Sequence, residues 1–184
     1  MTSCDDGDAG APRVDTILAF AFGNRRVLGR GGRLEQRPGP VNEALADVVL
    51  RLHSLSGAMV LAQWEIASVL EPQGALDDNV LHSIRPSREQ DGEARYLSTR
   101  GVVETAIQQD GGVAALGRVL VVAHRDHIDR CVRLCREASV DASGPDGLQR
   151  QWLPSFYDSQ SGQPWTRSRE DYLRHEKTMA SPGR

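Results

Sequence analysis

The sequence predicts an α/β fold with a mainly parallel sheet held between helices, and three observations lead there. Short apolar runs with little alternation recur at 14–22, 58–62 and 118–123, as in strands covered on both faces. Segments with apolar residues at helical spacing separate these runs. Strands alternating with helices in this order favour parallel pairing and right-handed crossovers, giving a Rossmann-like three-layer sandwich with a helical C-terminal tail. A length of 184 residues suits one domain with its own core and is short for two.

Residues 1–12 are small and acidic, without periodicity, and read as a disordered leader. The first strand, 14–22, runs into Gly23-Asn24, and the Gly- and Arg-rich stretch 25–40 reads as a long loop. Asn42 is placed to cap a helix over 43–55, in which Leu45, Val48, Val49 and Leu52 share a face and Gly57 ends the element. A second strand follows at 58–62, then a short helix from Trp64-Glu65 to about Pro72. Residues 72–97 are irregular, with Pro72, Gly74, Pro86 and Gly92 as punctuation. Ser98 or Thr99 caps the next helix, whose apolar face is Val102, Val103, Ala106 and Ile107.

The run over 118–123 is the clearest strand in the chain. A helix over 126–138 follows, burying Ile128, Cys131, Val132, Cys135 and Ala138, and a last short strand falls at 139–142. The main domain therefore covers 13–149. The tail, 150–184, carries Trp152, Tyr157, Trp165 and Tyr172 and is expected to end in a helix over 167–180 that packs back on the domain. Docking or homodimerisation through Trp152, Trp165 and Tyr172 is a further expectation.

A mean hydropathy of −0.43 and a net charge of −3 place the chain among polar globular proteins. No apolar run approaches the roughly 20 residues a membrane helix needs. The acidic start lacks the features of a signal peptide, so a cytoplasmic protein without membrane attachment is expected. The charge gives no electrostatic case for nucleic acid. Its basic side is almost all Arg, 21 against the single Lys177, which suits bidentate anion contacts or simply codon bias. Three cysteines, Cys4, Cys131 and Cys135, are too few for a disulfide framework.

In an open parallel sheet, ligands bind beyond the carboxyl ends of the strands. That rule selects Gly23 and Asn24, then Gln63, Trp64 and Glu65, then His124 through His127, with Ser98, Thr99 and Arg100 opening a helix of their own. His127 is the candidate acid/base, and Arg130, one turn later, a candidate anion ligand. The structural alternative has Asp126 capping the helix, Arg130 on its solvated face and both His bonded to backbone groups. His124 and His127 would approach as metal ligands only if both were helical, and His124 ends a strand, so no metal is expected. Glu65 and Glu104 read either as acid/base or ribose-binding carboxylates or as helix-surface charges. The Gly29-Arg30-Gly31-Gly32-Arg33 stretch lacks the endings of phosphate-binding loops, and neither a Gly-x-Ser-x-Gly elbow nor a His-Glu-x-x-His pair is present.

Three stretches together resemble the SanA/YdcF/ElyC-like family, the domain of unknown function 218. They are Val119-Leu120-Val121-Val122 leading to His124 and His127-Ile128-Asp129-Arg130; Ser98-Thr99-Arg100-Gly101-Val102-Val103-Glu104; and the tail from Tyr157 to Arg167 with Tyr172 and Glu176. With the first strand and Glu65, the likeness spans about 14–178. The chain departs from the family at Phe22-Gly23-Asn24, where a Gly-rich turn is usual, at Ala62-Gln63-Trp64 in place of Gly-Gly, and at Arg100 in place of Asn.

The resemblance implies a crevice lined by Gly23, Asn24, Glu65, Thr99, Glu104, His124, His127 and Arg130, and Arg100, standing where the family has Asn, is a further candidate ligand-binding residue. It implies a nucleotide-like or anionic small-molecule ligand, with S-adenosylmethionine the candidate cofactor. Glu65 would hold ribose hydroxyls, and Arg130 with the helix start at Thr99 would hold an anionic group. His127, with Glu65 and His124, would carry acid/base chemistry. The expectation is a cytoplasmic small-molecule transferase or hydrolase of the YdcF-like branch, for which an accessory role in bacterial specialised metabolism is compatible. The alternative is a non-catalytic ligand-binding or interaction protein with an altered pocket. A metal-assisted hydrolase using His124 and His127 is a third reading.

Overall fold

The computed structural model describes residues 13–86 and 97–180, so the leader and the Gly92 break fall outside the described residues. Strand β1, Thr16–Ala19, is buried at every position. Its one polar side chain, Thr16, is satisfied by donating to the Leu116 carbonyl at 2.8 Å.

Residues 25–40 are not a loop. Arg25–Leu28 (β2) and Leu34–Arg37 (β3) pair antiparallel, with Leu28 opposite Leu34. The turn between them places Gly31 and Gly32 at φ of 90° and 75°, which only glycine reaches cheaply. The hairpin is largely exposed on both faces, so no core-facing alternation is written into its sequence.

Helix α1, Pro40–Ser56, starts three residues earlier than the capping signal suggested. Gly39 is the N-cap and Pro40 takes the first turn, where its missing N–H costs nothing. Asn42 therefore lies inside the helix, fully buried, and its amide serves the chain leaving β1. It accepts from the Phe22 N–H at 2.9 Å and donates to the Gly23 carbonyl at 2.7 Å. Gly57 ends α1 in the left-handed region, at φ 66°.

Strand β4, Met59–Gln63, runs directly into helix α2, Trp64–Leu70, and a 3₁₀ turn at Glu71–Gln73. The stretch read as irregular contains another strand, β5, Leu81–Ile84. Helix α3, Thr99–Gln109, is capped by Ser98, whose hydroxyl accepts from the Gly101 N–H. The short helix α4, Val113–Leu116, leads into β6, Arg118–Val122. Helix α5, Ile128–Glu137, has His127 rather than Asp126 at its cap position. The last strand, β7, begins at Asp141, because Ser139 leaves α5 in the left-handed region at φ 65°. Helix α6, Gly147–Arg150, and a 3₁₀ turn at Pro164–Thr166 precede the tail helix α7, Arg169–Ala180.

The sheet has the order β5-β4-β1-β6-β7 with every neighbouring pair parallel, the predicted Rossmann-like arrangement. Ile17, Leu18, Val60, Leu61, Val121 and Val122 are fully buried, and each such aliphatic side chain contributes about 1.5–3 kcal/mol by leaving water. Helices α1 and α2 pack together over β1 and β4, while α3 packs on α5, which covers β6 and β7. Strand order reverses between β1 and β6, so the connections leaving these two strands part and open a crevice. No helix among the described residues is long and apolar enough to cross a membrane.

Candidate functional site

The crevice at the reversal point holds about 270 Å³. Its floor is Ala21, Phe22 and Gly23 after β1, and one wall is Ser98 and Thr99 at the start of α3. His127 and Arg130 come from the start of α5. The roof is the tail: Gln163, Trp165 and Thr166 before α7, then Tyr172, His175, Glu176 and Met179 on it.

The tail is held to the β1 exit by a dense set of polar contacts. Arg25 grips Asp158 through Nε and Nη2 at 2.8 and 2.9 Å, a bidentate pair, and this holds the Asp158 carboxyl below its ordinary range. The Gly162 N–H donates to the Asn24 carbonyl at 2.7 Å, and Ser161 and Thr166 share a hydroxyl bond at 2.7 Å. Gly23 sits under those hydroxyls at φ 74°. A Cβ there would lie 2.5 Å from Thr166 Oγ1 and 2.7 Å from Ser161 Oγ, so only glycine lets the tail close.

Of the residues the sequence singled out, Gly23, Thr99, His127 and Arg130 meet in this crevice. The others lie elsewhere. Asn24 is buried beside it and uses its backbone carbonyl to anchor the tail. Glu65 is 2 % exposed and does not line the crevice. Its Oε2 has no partner, and burial pushes its pKa up to about 7. Arg100 is exposed and pairs with Glu137 at 2.8 Å, while Glu104 is exposed on α3 outside the crevice lining. Gln63, where the family has Gly, accepts from the Ala21 N–H at 3.0 Å and braces the floor.

The two histidines have separate roles. His124 is fully buried, stacked on Phe22 at 4.1 Å between centroids. Its Nδ1 accepts from the Asp126 N–H, so Nε2 carries the proton and donates to the Phe156 carbonyl at 3.1 Å. Both nitrogens are spent on backbone, and burial lowers its pKa to about 4. That is the structural alternative realised for this residue.

His127 instead bonds side chains. Its Nδ1 lies 2.8 Å from the Tyr172 hydroxyl and its Nε2 3.5 Å from Thr99 Oγ1. Burial first, then the charges of Arg130, His124 and His175, lower its pKa to about 3. Arg130 donates to Glu176 on α7, so its charge is already neutralised. Asp126 does not cap α5; it accepts from the Tyr157 hydroxyl at 2.7 Å and from Arg169 at 3.0 Å.

Chemically, the crevice offers a neutral imidazole between two hydroxyls, beside a compensated Arg–Glu pair. Sequence reasoning about strand ends did not reach its tail residues Gln163, Tyr172, His175 and Glu176. Tyr172 lies 45 positions from its partner His127, and no local pattern announces such a contact. The aromatic residues read as docking positions are engaged within the chain. Tyr172 is buried, Trp165 stacks on His175 at 4.9 Å, and Trp152 lies under the Arg51 guanidinium. Among the described residues no group of His, Cys, Asp or Glu is arranged to hold a metal ion. No family model matches the chain, and neither a curated protein nor a solved structure matches it.

Proposed function

We propose that the chain is a small-molecule enzyme working in the crevice beneath α7, with His127 as its proton-transferring group. The observation carrying this reading is the convergence of Thr99 at the start of α3 with His127 and Arg130 at the start of α5 on one concave site where the strand order reverses. A cytoplasmic location belongs to the same reading.

The space bounds the ligand. About 270 Å³ is at the small end of the roughly 300–1,000 Å³ typical of ligand pockets. A compact molecule fills it with α7 in place, whereas a nucleotide-like ligand such as S-adenosylmethionine needs part of its length to emerge past the helix. An anionic group entering the site competes with Glu176 for Arg130. The same negative charge beside His127 raises the pKa that burial depresses, moving the ring toward the range where proton transfer is efficient.

A second reading, ligand binding without turnover, is favoured by one specific observation. In the free protein His127 is held neutral far below physiological pH, and Arg130 is already paired.

Thermal unfolding with saturating S-adenosylmethionine, and separately with inorganic phosphate, tests both readings. A ligand at 100 times its dissociation constant stabilises by about 2.7 kcal/mol, which for this size raises the melting temperature by about 5–10 °C. A shift abolished by His127→Ala supports the crevice as the site, and no shift with either probe counts against it. Any probe that binds is then incubated with the protein and followed for conversion. Binding with no product selects the second reading.

A further inference from the structure

We propose that the β2–β3 hairpin is a docking surface for an anionic lipid bilayer, in which Leu28 and Leu34 enter the acyl boundary while Arg26, Arg30 and Arg33 bind lipid phosphates. This goes beyond the reading of the crevice and does not depend on it.

Successive strand residues point to opposite faces, and cross-strand partners share a face. Arg25 and Val27 therefore lie on one face with Arg37 and Glu35, and Arg26 and Leu28 lie on the other with Gln36 and Leu34. On β2 the first pair is half-buried and the second exposed, so the leucine face is the one turned to solvent. Leu28 and Leu34 stand directly opposite each other there, 74 % and 70 % exposed. They form a paired apolar surface rather than single scattered side chains.

The net charge of −3 conceals a local excess of the other sign. Residues 25–37 hold five arginines against the single carboxylate of Glu35. Asp158 neutralises Arg25, and Glu35 pairs with Arg37 at 3.1 Å. Arg26, Arg30 and Arg33 are exposed and have no acidic partner among the described residues. Arg30 and Arg33 flank Gly31-Gly32 at the turn, with the leucine pair directly behind them.

An exposed apolar pair beside unpaired guanidinium groups matches a layer that offers hydrocarbon beneath phosphate. Guanidinium suits the phosphate oxygens, which it can bind through two N–H groups at once. A nucleic acid supplies phosphate but sets the leucines against sugar and charge, and their place behind the turn keeps them from wedging between bases. A second copy of the chain docked on this face would bring the same unpaired cations together. Lying on a bilayer in this way requires no spanning helix.

Co-sedimentation of the full chain with vesicles tests the proposal. One set is phosphatidylglycerol mixed equally with phosphatidylcholine and the other phosphatidylcholine alone, both at about 0.1 M salt. The parent is expected to bind the mixed vesicles, to leave the neutral ones free, and to dissociate as salt rises. Arg26→Gln, Arg30→Gln and Arg33→Gln together should weaken binding by about 100-fold, about fivefold for each charge. Leu28→Ser with Leu34→Ser should weaken it by at least about tenfold while the salt dependence stays. All the substituted positions are exposed, and unchanged circular dichroism melting establishes that each variant keeps the fold.

Failure of the parent to bind the mixed vesicles overturns the proposal. So does a folded leucine variant that binds as the parent does, because charge alone then explains the attraction. Binding to a short DNA duplex, lost in the arginine variant and kept in the leucine variant, without any vesicle binding, would replace the lipid surface with a nucleic acid.

Discussion

His124 and His127 are three residues apart, follow the same strand and are both shielded from water, yet the regions around them are built on different plans. Around His124 the molecule is closed. The ring stacks on Phe22, Tyr157 packs 4.7 Å away, and both nitrogens meet backbone groups that no side-chain change can remove. Around His127 the same degree of shielding encloses a cavity, and both nitrogens face hydroxyls on movable side chains from other elements. A histidine bonded by backbone is part of the scaffold. A histidine bonded by side chains at a cavity wall is available for exchange with a ligand.

That contrast makes unequal demands on the two sites. His124→Ala leaves a void in a packed aromatic cluster and strands a carbonyl, costing about 3 kcal/mol and lowering the melting temperature by about 6–12 °C. A loss below 1 kcal/mol in denaturant titration would show that the region is not closed.

The second effect is on pH. Both folded-state pKa values, about 4 and about 3, lie below the unfolded value near 6.5, so the unfolded chain binds more protons. Stability from each ring is therefore complete above about pH 6.5 and lost as pH falls, at up to about 1.4 kcal/mol per pH unit for each. Glu65 has the opposite sign. Its raised pKa, about 7, makes its contribution complete below about 4.5 and lost as pH rises toward 7, offsetting one histidine over the shared range. Denaturant midpoints between pH 4 and 8 should thus fall on the acid side, and Glu65→Gln should gain on the parent as pH is raised. Identical pH profiles for parent and Glu65→Gln would contradict the assignment.

Third in size is His127→Ala, which enlarges an existing cavity rather than creating one. It should cost about 1–2 kcal/mol by denaturant titration while eliminating any ligand-induced melting shift. A cost equal to that of His124→Ala would erase the distinction between the two regions. Smallest is Thr99→Val, which removes only a 3.5 Å contact and should change stability by less than about 0.5 kcal/mol. A larger loss would mean that the Thr99 hydroxyl is structural.

The sequence makes one of these regions easier to read than the other. Strands β1, β4 and β6 were legible because burial on both faces leaves an uninterrupted apolar run, and the strand-end rule then pointed to Gly23 and His127, which line the crevice, and equally to Asn24, Glu65 and His124, which do not. The β2–β3 hairpin left no such record, since its faces are mostly wet, and β5 is a short, half-buried edge strand. Asn42 looks like a cap because caps and buried amide clamps use the same residue. What distinguishes them, the N–H of Phe22 and the carbonyl of Gly23, lies nearly twenty positions away. The roof of the crevice was hidden for the same reason. The sequence favours His127 over His124 as the acid/base candidate, but the contacts that distinguish the two, with Tyr172 and Phe156, come from the tail.

Gly23 and the segment folded over it have a consequence for the order in which the chain becomes competent. The floor of the crevice is written in the first quarter of the sequence and its roof in the last few turns, so the contacts that complete it are among the longest-range in the fold. Such contacts bear the largest loop-closure entropy and form late. During synthesis, the sheet as far as β7 has its full complement of strands while the roof is still inside the ribosome. The crevice comes into being only when Glu176 has emerged, so an assembled site reports that the tail has folded back onto a sheet formed before it.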